Sequence, residues 1–499
     1  MWEAVFPPRR QYSRKVCAMR ESLSPTDAAV GLAEPSGNQF SVLNPATEEH
    51  IASVPDHDSH YALQQIPIAT AAGAAWASTT PRHRADIMHN VYAVLIENRD
   101  RLAGLITSEM GKTLKEAAGE VQYAADYVRW YAEELVRPGG GYRENPHGGS
   151  TILIKRSPVG LAVLISPWNF PMAMITRKIA PAIASGSPAI VKPANLTPLT
   201  TLLTVELMVQ AGVPEDLVRV VSTTRASEFS EAVLGDPRVR KLSFTGSTQV
   251  GSTLLGVASH NVIKSSMELG GNAPFIVFDD ADLDRAIAGA IAAKLRNGGQ
   301  SCIAANRFYV QEGIAEDFIQ GFSEQMSSIT LGPGEQESTQ LGPMIDHKAA
   351  QRMQDLVADA VAGGATVRAG GSAPEGPGYF FEATVLDGVA TDADVFTSEV
   401  FGPIAPIRRF SHQSEVLEAA NDTPFGLAGY VFTENLDRAL NVADALETGL
   451  VGINQGVPSN AAAPFGGLKQ SGMGREGSGE GLEEYQEMRF YNIARKETH

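Results

Sequence analysis

The sequence predicts an α/β protein with two open, mostly parallel sheets and a small β arm. From Val159 onward, short apolar segments of strand length alternate with segments of helical period, which is typical of parallel βαβ units. The second half of the chain repeats this alternation. Before both halves, residues 151–156 alternate polar and apolar side chains after a Gly-rich turn, which indicates one strand of a projecting hairpin. The expected fold is two doubly wound, Rossmann-like domains with a β arm for subunit contacts.

The region before the hairpin is predicted to be an extension followed by helices. Ordered structure is expected to begin near Phe40, and helical patterns cover 59–78, 81–108 and 113–135. Residues 1–38 are expected to be a disordered extension, because Pro7-Pro8 interrupts any amphipathic helix. The alternative is an organelle transit peptide, since this segment is rich in arginine and poor in acids.

The alternation predicts individual strands and helices. In the first half, strands are expected at 160–165, 188–192, 218–222, 241–245 and 273–278, with helices near 172–185, 199–211, 226–234 and 248–258. In the second half, strands are expected near 307–311, 365–369, 404–410, 428–433 and 450–453. Ligands of open α/β sheets bind beyond the carboxyl ends of the strands. The loops that follow these strands are therefore the expected place for chemistry.

The composition limits the kinds of partner. The 499 residues include 40 Lys and Arg against 57 Asp and Glu, a formal net charge of −17, which argues against a general nucleic-acid or membrane-surface binder. Two cysteines cannot form a disulfide framework, so a reducing compartment such as the cytoplasm is expected. No apolar run approaches the length of a spanning helix. No metal site is expected, since the ligand-like pair His57 and His60 lies in a polar segment.

Cys302 is the first candidate for catalysis. It ends the segment Asn297-Gly-Gly-Gln-Ser-Cys302, directly after a helical pattern in which apolar residues recur from Leu283 to Leu295. A cysteine on a Gly-rich turn after a helix is placed to meet a ligand. The alternative is a buried cysteine that serves only for packing.

Two further segments offer chemistry at strand ends. Two prolines fix the backbone around Asn169 in residues 166–171, so its amide is a candidate oxyanion donor, or else it satisfies its own turn. Glu268 lies between a methionine and a leucine before two glycines. Partial desolvation there would raise its pKa toward the range of a general base; the alternative is an ordinary strand-end charge.

Three segments suit a dinucleotide. Lys192 ends one predicted strand, and residues 244–251 form a strand-to-helix turn whose backbone amides suit a pyrophosphate. Ser252 stands where a phosphate-loop NTPase would need lysine, which argues against an ATPase. Glu399 lies in a Gly/Pro turn and is a plausible hydroxyl acceptor.

Taken together, the segments PWNFP, KPA, FTGSTxxG, MELGG, GQSC, EVFGP and PFGG occur in one order from about residue 40 to the end. In this the chain resembles the aldehyde dehydrogenase superfamily. The resemblance implies that Cys302 attacks an aldehyde as a thiolate, and that the Asn169 amide and the Cys302 N–H stabilise the oxyanion. Glu268 would then activate the water that hydrolyses the thioester.

The resemblance also implies the cofactor contacts. Lys192 and Glu399 would bind ribose, Gly246 and Ser247 would form the pyrophosphate turn, and Trp168 and Leu269 would flank the cofactor. Gly251 and Phe401 belong to the same set. Many NAD-preferring relatives carry glutamate where Asn195 stands here, so NADP is expected to be preferred, with NAD possible as well.

The chain is further similar to succinate-semialdehyde dehydrogenases, a subgroup of that family. Arg177, Arg296 and Ser459 match positions that such enzymes use for the far carboxylate of the substrate, and arginine binds carboxylates in a fork geometry. Phe170 and Phe465 would form the apolar walls of the substrate tunnel. The alternatives are glutarate semialdehyde, another ω-oxo acid or a general aldehyde, and, from another class, a non-catalytic protein on the same scaffold.

The resemblance finally implies a division of the chain. Residues 39–140 and 158–270 would form the dinucleotide-binding domain, and residues 271–465 the catalytic domain. Residues 141–157 and 466–499 would form an oligomerisation hairpin and tail. A homodimer or homotetramer is expected, in which the tail pairs with a neighbouring subunit.

Overall fold

The computed structural model of the protein describes residues 37–137 and 139–495. All but the last two residues of the predicted N-terminal extension, including Cys17, lie outside the described residues. In the described ranges, no helix has both the length and the apolar character that crossing a membrane requires.

The first elements form a hairpin and a layer of helices. They are β1 (Gln39–Leu43), β2 (His50–Pro55), α1 (Ser59–Ala77), α2 (Pro81–Glu97), α3 (Arg99–Met110) and α4 (Leu114–Glu134). The single helix predicted over 81–108 is wrong, since it is divided at Asn98. The Asn98 amide donates to the Val94 carbonyl at 2.8 Å, and such a local side-chain bond competes with the continuing helix.

The next part of the chain builds the first sheet. Its elements are β3 (Gly141–Glu144), β4 (Ser150–Pro158), β5 (Leu161–Ile165), α5 (Ala173–Ser185), β6 (Ala189–Lys192), α6 (Pro198–Gln210), β7 (Val218–Val220), α7 (Ala226–Leu234), β8 (Val239–Thr245), α8 (Thr248–Ser259) and β9 (Lys264–Glu268). Strand β9 was not predicted from the sequence, because it begins with polar residues, although its last three side chains are buried.

The second sheet follows. Its elements are β10 (Ala273–Val277), α9 (Leu283–Leu295), β11 (Ala305–Gln311), α10 (Ala315–Ser327), α11 (His347–Ala362), β12 (Thr366–Ala369), β13 (Thr384–Asp387), α12 (Asp394–Thr397), β14 (Ile404–Phe410), α13 (Gln413–Asn421), β15 (Phe425–Gly426), β16 (Ala428–Phe432), α14 (Leu436–Ala445) and β17 (Leu450–Ile453). The chain ends with β18 (Leu468–Lys469), β19 (Gly472–Met473), α15 (Ser478–Glu483) and β20 (Gln486–Ala494).

Both sheets are doubly wound. The first has the order β19-β9-β8-β5-β6-β7 and the second the order β12-β13-β14-β11-β10-β16-β17. Neighbours are parallel except where β19 and β12 pair antiparallel at the edges. Separate clusters of buried apolar residues lie on the faces of the two sheets, as expected when helices cover parallel strands on both faces.

The arm is a three-stranded sheet of order β20-β4-β3. Strand β20 pairs with β4 of its own chain along its full length, from Gln486 opposite Pro158 to Ala494 opposite Ser150. This edge of β20 is therefore occupied within the chain, and the pairing of the tail with a neighbouring subunit stays a prediction for the other edge of the strand. Residues 466–485 also leave the arm, because Gly472 pairs with Glu268 at the edge of the first sheet.

Candidate active site

The thiol is delivered by a short left-handed turn between α9 and β11. Asn297, Gly298 and Gly299 have φ values of 59°, 64° and 74°, a conformation that asparagine and glycine adopt at least cost. The turn brings the Cys302 carbonyl so close to Gly271 that a Cβ at residue 271 would overlap it. The loop after β9 and the cysteine loop are thus in direct contact.

Cys302 is a free, partly exposed cysteine. Desolvation raises the pKa of its thiol to about 12; Arg177 and Arg296 act to lower it, and Glu399 and Glu268 act to raise it. The four predicted charged residues therefore all lie close enough to act electrostatically on the thiol. At neutral pH the resting thiol is protonated, since its pKa lies far above 7.

This pKa predicts how the thiol reacts with an alkylating agent. Only the thiolate is nucleophilic, so we expect the rate of Cys302 alkylation by iodoacetamide to rise about tenfold per pH unit between pH 7 and pH 10. The rate is measured by mass spectrometry of the peptide that contains Cys302, which separates it from Cys17. A plateau below pH 9 would contradict the pKa assigned here.

Glu268 ends β9 and is buried, and neither carboxylate oxygen has a hydrogen-bond partner among the described residues. Burial first, and then the negative charge of Glu476, raise the pKa of Glu268 well above its ordinary value, while Arg177 and Lys178 lower it. A carboxylate in these surroundings binds a proton more readily than usual, which is the property of a general base.

Asn169 lies on the loop after β5 and is buried. Its Nδ2 donates to the Gln300 carbonyl at 2.9 Å, so the amide lies against the cysteine loop. Its own carbonyl accepts from Lys112 Nζ at 2.8 Å and from Asn297 Nδ2 at 3.0 Å. The predicted oxyanion donor is therefore beside the nucleophile and fixed by several partners.

The predicted carboxylate clamp, which consists of Arg177, Arg296 and Ser459, lies in two separate places. Arg296 Nη1 donates to Ser459 Oγ at 3.3 Å, and its guanidinium lies 5.1 Å from the centre of the Phe170 ring and 5.7 Å from that of Tyr123. Such aromatic faces stabilise a guanidinium. The two predicted residues Arg296 and Ser459 are thus brought together beside an apolar wall.

Arg177 is the second part and is buried. Its Nε forms an ion pair with Glu476, and its guanidinium lies 4.5 Å from the centre of the Phe465 ring. Because of the negative charge of Glu476, the pKa of Arg177 is raised in spite of burial. Its Nη2 has no hydrogen-bond partner among the described residues, so one donor remains for a ligand.

Sequence reasoning missed Glu476, Lys178, Lys112 and Glu120. Glu476 pairs with Lys178 at 2.5 Å as well as with Arg177, and Lys112 pairs with Glu120 at 2.5 Å. One signal was present in the sequence: two adjacent cations interrupt the apolar helix α5, and buried cations require a partner. The sequence does not show which residue is that partner, because Glu476 lies 298 positions from Lys178.

The carboxyl ends of β5 and β8 form the switch point of the first sheet, because the chain leaves them in opposite directions. Ser166 follows β5, and Thr245 ends the neighbouring β8. Both hydroxyl oxygens are buried and have no hydrogen-bond partner within residues 37–137 and 139–495. Since buried polar groups are normally satisfied, a polar ligand at the switch point fits them.

Lys192 and Glu399 add charge near this edge. Burial lowers the pKa of Lys192 to about 8 and raises that of Glu399 to about 7. Glu399 Oε1 accepts the N–H of Gly271 at 3.0 Å, and neither residue forms an ion pair in the described part of the chain. Unpaired groups of both signs fit the phosphates and ribose hydroxyls of a dinucleotide.

The turn after β8 differs in one detail from its predicted role. The N–H of Gly246 donates to the Glu268 carbonyl at 3.0 Å, so it is not available for a pyrophosphate. Ser247 caps α8 by accepting from Val250 N at 3.4 Å. The first amides of α8, which have no partner within the helix, remain as donors for an anion.

Five other predicted residues complete this side. Gly251 packs against Leu269 so closely that a Cβ would overlap the leucine. The rings of Trp168 and Phe401 meet edge to face at 5.4 Å, while Asn195 is exposed beyond β6. Among the described residues, no group of three or more His, Cys, Asp or Glu side chains could hold a metal ion.

Comparison with known proteins agrees with this geometry. Residues 32–491 match the aldehyde dehydrogenase family. Succinate-semialdehyde dehydrogenase of Paenarthrobacter nicotinovorans is 47% identical over 89% of this chain and 99% of its own length. Glutarate-semialdehyde dehydrogenase of Pseudomonas putida is 45% identical over 92% and 95%. The crystal structure of an Escherichia coli NADP dependent enzyme has a TM-score of 0.90 at 44% identity and covers 92% and 95%. The predicted fold class is thereby confirmed, and the chain belongs to the aldehyde dehydrogenase family.

Proposed function

We propose that this protein oxidises succinate semialdehyde to succinate, with NADP as the preferred cofactor and NAD also accepted. The observation that carries the substrate is the pair of Arg296 and Ser459, 3.3 Å apart beside Phe170. Arg296 is near enough to Cys302 to lower the pKa of its thiol, so we place the carboxylate of a short substrate on this pair and its aldehyde at the sulfur. On a protein of net charge −17, an anionic substrate needs such a local cation.

The residues of the site divide the chemistry into two stages. The Cys302 thiol gives its proton to solvent, the resulting thiolate forms a bond to the aldehyde carbon, and the carbonyl oxygen becomes an oxyanion that accepts from Asn169 Nδ2 and from the Cys302 N–H. A bound nicotinamide supplies the acceptor for the hydride that leaves this carbon. Glu268 then takes a proton from water as its oxygen attacks the resulting thioester, which releases the acid and the Cys302 thiolate.

Glutarate semialdehyde is the second candidate, and the relative from Pseudomonas putida supports it at 45% identity. It is longer than succinate semialdehyde by one methylene. One methylene is worth about 1–3 kcal/mol of discrimination, so the two acids are expected to differ less from each other than either differs from a neutral aldehyde.

The substrate is tested by kcat/KM for succinate semialdehyde, glutarate semialdehyde and butanal. We expect succinate semialdehyde to exceed butanal by about a hundredfold, because the charge-assisted pair is worth about 2–5 kcal/mol. Arg296→Gln should abolish this preference while it leaves kcat/KM for butanal nearly unchanged. Equal rates for acid and neutral aldehyde in the wild type would discard the clamp, and no aldehyde-dependent NAD(P)H formation would favour a non-catalytic role.

The cofactor preference rests on Asn195. It presents a neutral amide on the exposed loop beyond β6, where a glutamate would repel a 2′-phosphate. The same kcat/KM series, measured with NADP and with NAD, tests this preference. Asn195→Glu should shift the ratio toward NAD and leave the aldehyde preference as it was.

We further propose that the protein is a homodimer or homotetramer. The outer edge of β20 pairs with no strand among residues 37–137 and 139–495, and Met488, Phe490 and Ile493 are 63%, 71% and 51% exposed. An apolar edge strand of this length is normally covered. Light scattering is expected to give at least twice the monomer mass of 53.1 kDa, and Phe490→Asp should lower that mass. A wild-type monomer at micromolar concentration would contradict the proposal.

A cytoplasmic location is proposed from the presence of only two cysteines.

A further inference from the structure

Asn297 stands between the oxyanion donor and the nucleophile. It is a buried, non-glycine residue in the left-handed region, with φ 59° and ψ 32°. Such a conformation costs a non-glycine residue free energy and persists only where the surroundings hold it. The surroundings here are specific: the Asn297 N–H donates to Glu116 Oε1 at 2.6 Å.

The side chain of Asn297 joins two segments of the site. Its Nδ2 donates to the Asn169 carbonyl at 3.0 Å and to the Gln300 carbonyl at 2.9 Å. The Gln300 carbonyl also accepts from Asn169 Nδ2 at 2.9 Å. The two asparagines therefore close a ring of hydrogen bonds between the loop after β5 and the cysteine loop.

This ring sets the direction of the Asn169 amide. One N–H of Asn169 is directed to the Gln300 carbonyl, which leaves the other for the substrate oxygen. The Oδ1 atoms of Asn169 and Asn297 are both buried and have no partner among the described residues, so the hydrogen bonds found for these two amide groups are made through nitrogen alone. Without Asn297, the Asn169 backbone would keep only its contact with Lys112 as a side-chain support.

Side chains at and just before the start of α4 support this ring of hydrogen bonds. Glu120 accepts the N–H groups of Met172 and Ala173 at 2.9 and 3.1 Å, and it pairs with Lys112, which donates to the Asn169 carbonyl. Lys112 and Glu120 are both buried. The same helix also supplies Glu116 to Asn297, so one element fixes both segments.

We propose that Asn297 is a positioning residue for the reaction, which acts through Asn169 by aiming its amide at the oxyanion formed on the substrate. This inference rests on the proposed function, since the oxyanion exists only if Cys302 adds to a carbonyl. Asn297 itself touches neither substrate nor cofactor in this role. Its loss should slow the step in which charge develops on oxygen and should leave cofactor affinity unchanged.

The test is a double-mutant cycle on the rate of the first NADPH turnover with succinate semialdehyde. Asn297→Gly removes the side chain while glycine accepts the left-handed backbone. Removing an oxyanion donor costs about 10²–10³-fold, so we expect Asn169→Ala to lose that much and Asn297→Gly to lose about 10–100-fold. In the Asn169→Ala background, Asn297→Gly should cost less than about threefold, because residues that act as one unit are not additive.

Asn454→Gly is the matched control. Asn454 is also an asparagine of positive φ, 53°, and its side chain makes two hydrogen bonds, both to the backbone of Thr433. Its replacement should lower the melting temperature to a similar degree but keep the first-turnover rate within about twofold. Iodoacetamide alkylation of Cys302 and the Kd for NADP should be unchanged in Asn297→Gly, which separates positioning from general damage to the site.

The inference is overturned if the first-turnover rate of Asn297→Gly stays within twofold of wild type. It is also overturned if Asn297→Gly slows the first turnover as much in the Asn169→Ala background as in the wild type. Should Asn297→Gly fail to fold, Asn297→Asp replaces it in the cycle, since it keeps the shape but turns an oxygen toward two carbonyls. Failure of both variants to fold while Asn454→Gly folds would assign Asn297 a structural role. A wild type without any aldehyde oxidation would instead reject the proposed function.

Discussion

Replacing Cys302 with alanine is expected to lower kcat for succinate semialdehyde by about 10⁴-fold or more, because no other group in the site can form the covalent bond to the aldehyde carbon. The affinity for NADP should stay within about twofold, since the groups at the switch point of the first sheet lie on other loops. Steady-state NADPH formation and equilibrium binding of NADP measure the two effects. Residual turnover of a few per cent would remove the thiol mechanism.

Two further variants sharpen this prediction. Cys302→Ser keeps a nucleophilic atom, but a hydroxyl is far less acidic than a thiol, and a site that already raises the thiol pKa to about 12 would not ionise it. We therefore expect Cys302→Ser to be almost as slow as Cys302→Ala. Cys17→Ala is the control for the other cysteine of the chain and should retain full activity.

The sequence was sufficient for the parts of the site that lie at strand ends. Asn169, Lys192 and Thr245 follow or end three predicted strands of one sheet, and parallel strands carry their carboxyl ends to one edge. Cys302 could be placed near Glu268 for the same reason, because a single strand and helix separate them. These positions follow from local pattern and the geometry of βαβ units.

The sequence was insufficient for groups whose role depends on distant contacts. Glu476 reaches Arg177 and Lys178 because β19, a strand of only two residues, pairs with β9. Two residues carry no readable period. Glu116 and Glu120 are acids four positions apart on a helix, which normally indicates a solvated face, yet Glu120 is buried against α5. Tertiary burial of a charge is not visible in a local pattern.

Replacing Glu268 with glutamine is expected to separate the two stages of the reaction. The amide has the shape of the carboxylate but cannot take a proton from water, so steady-state turnover should fall by about 10²–10⁴-fold. The first turnover needs no such base, so a burst of about one NADPH per active site should persist. Rapid mixing with succinate semialdehyde measures both phases in one experiment.

The pH dependence of turnover gives the same assignment independently. Burial and Glu476 raise the pKa of Glu268, and only the deprotonated form can act as a base. Turnover of the wild type, where deacylation limits it, should therefore keep rising with pH well above the range in which an ordinary glutamate titrates, and Glu268→Gln should lose this rise. Glu399→Gln, the control at the carboxylate that accepts the N–H of Gly271, should raise KM for NADP without separating burst from steady state. If the burst disappears together with turnover in Glu268→Gln, the carboxylate acts before hydride transfer, and its proposed role in hydrolysis must be given up.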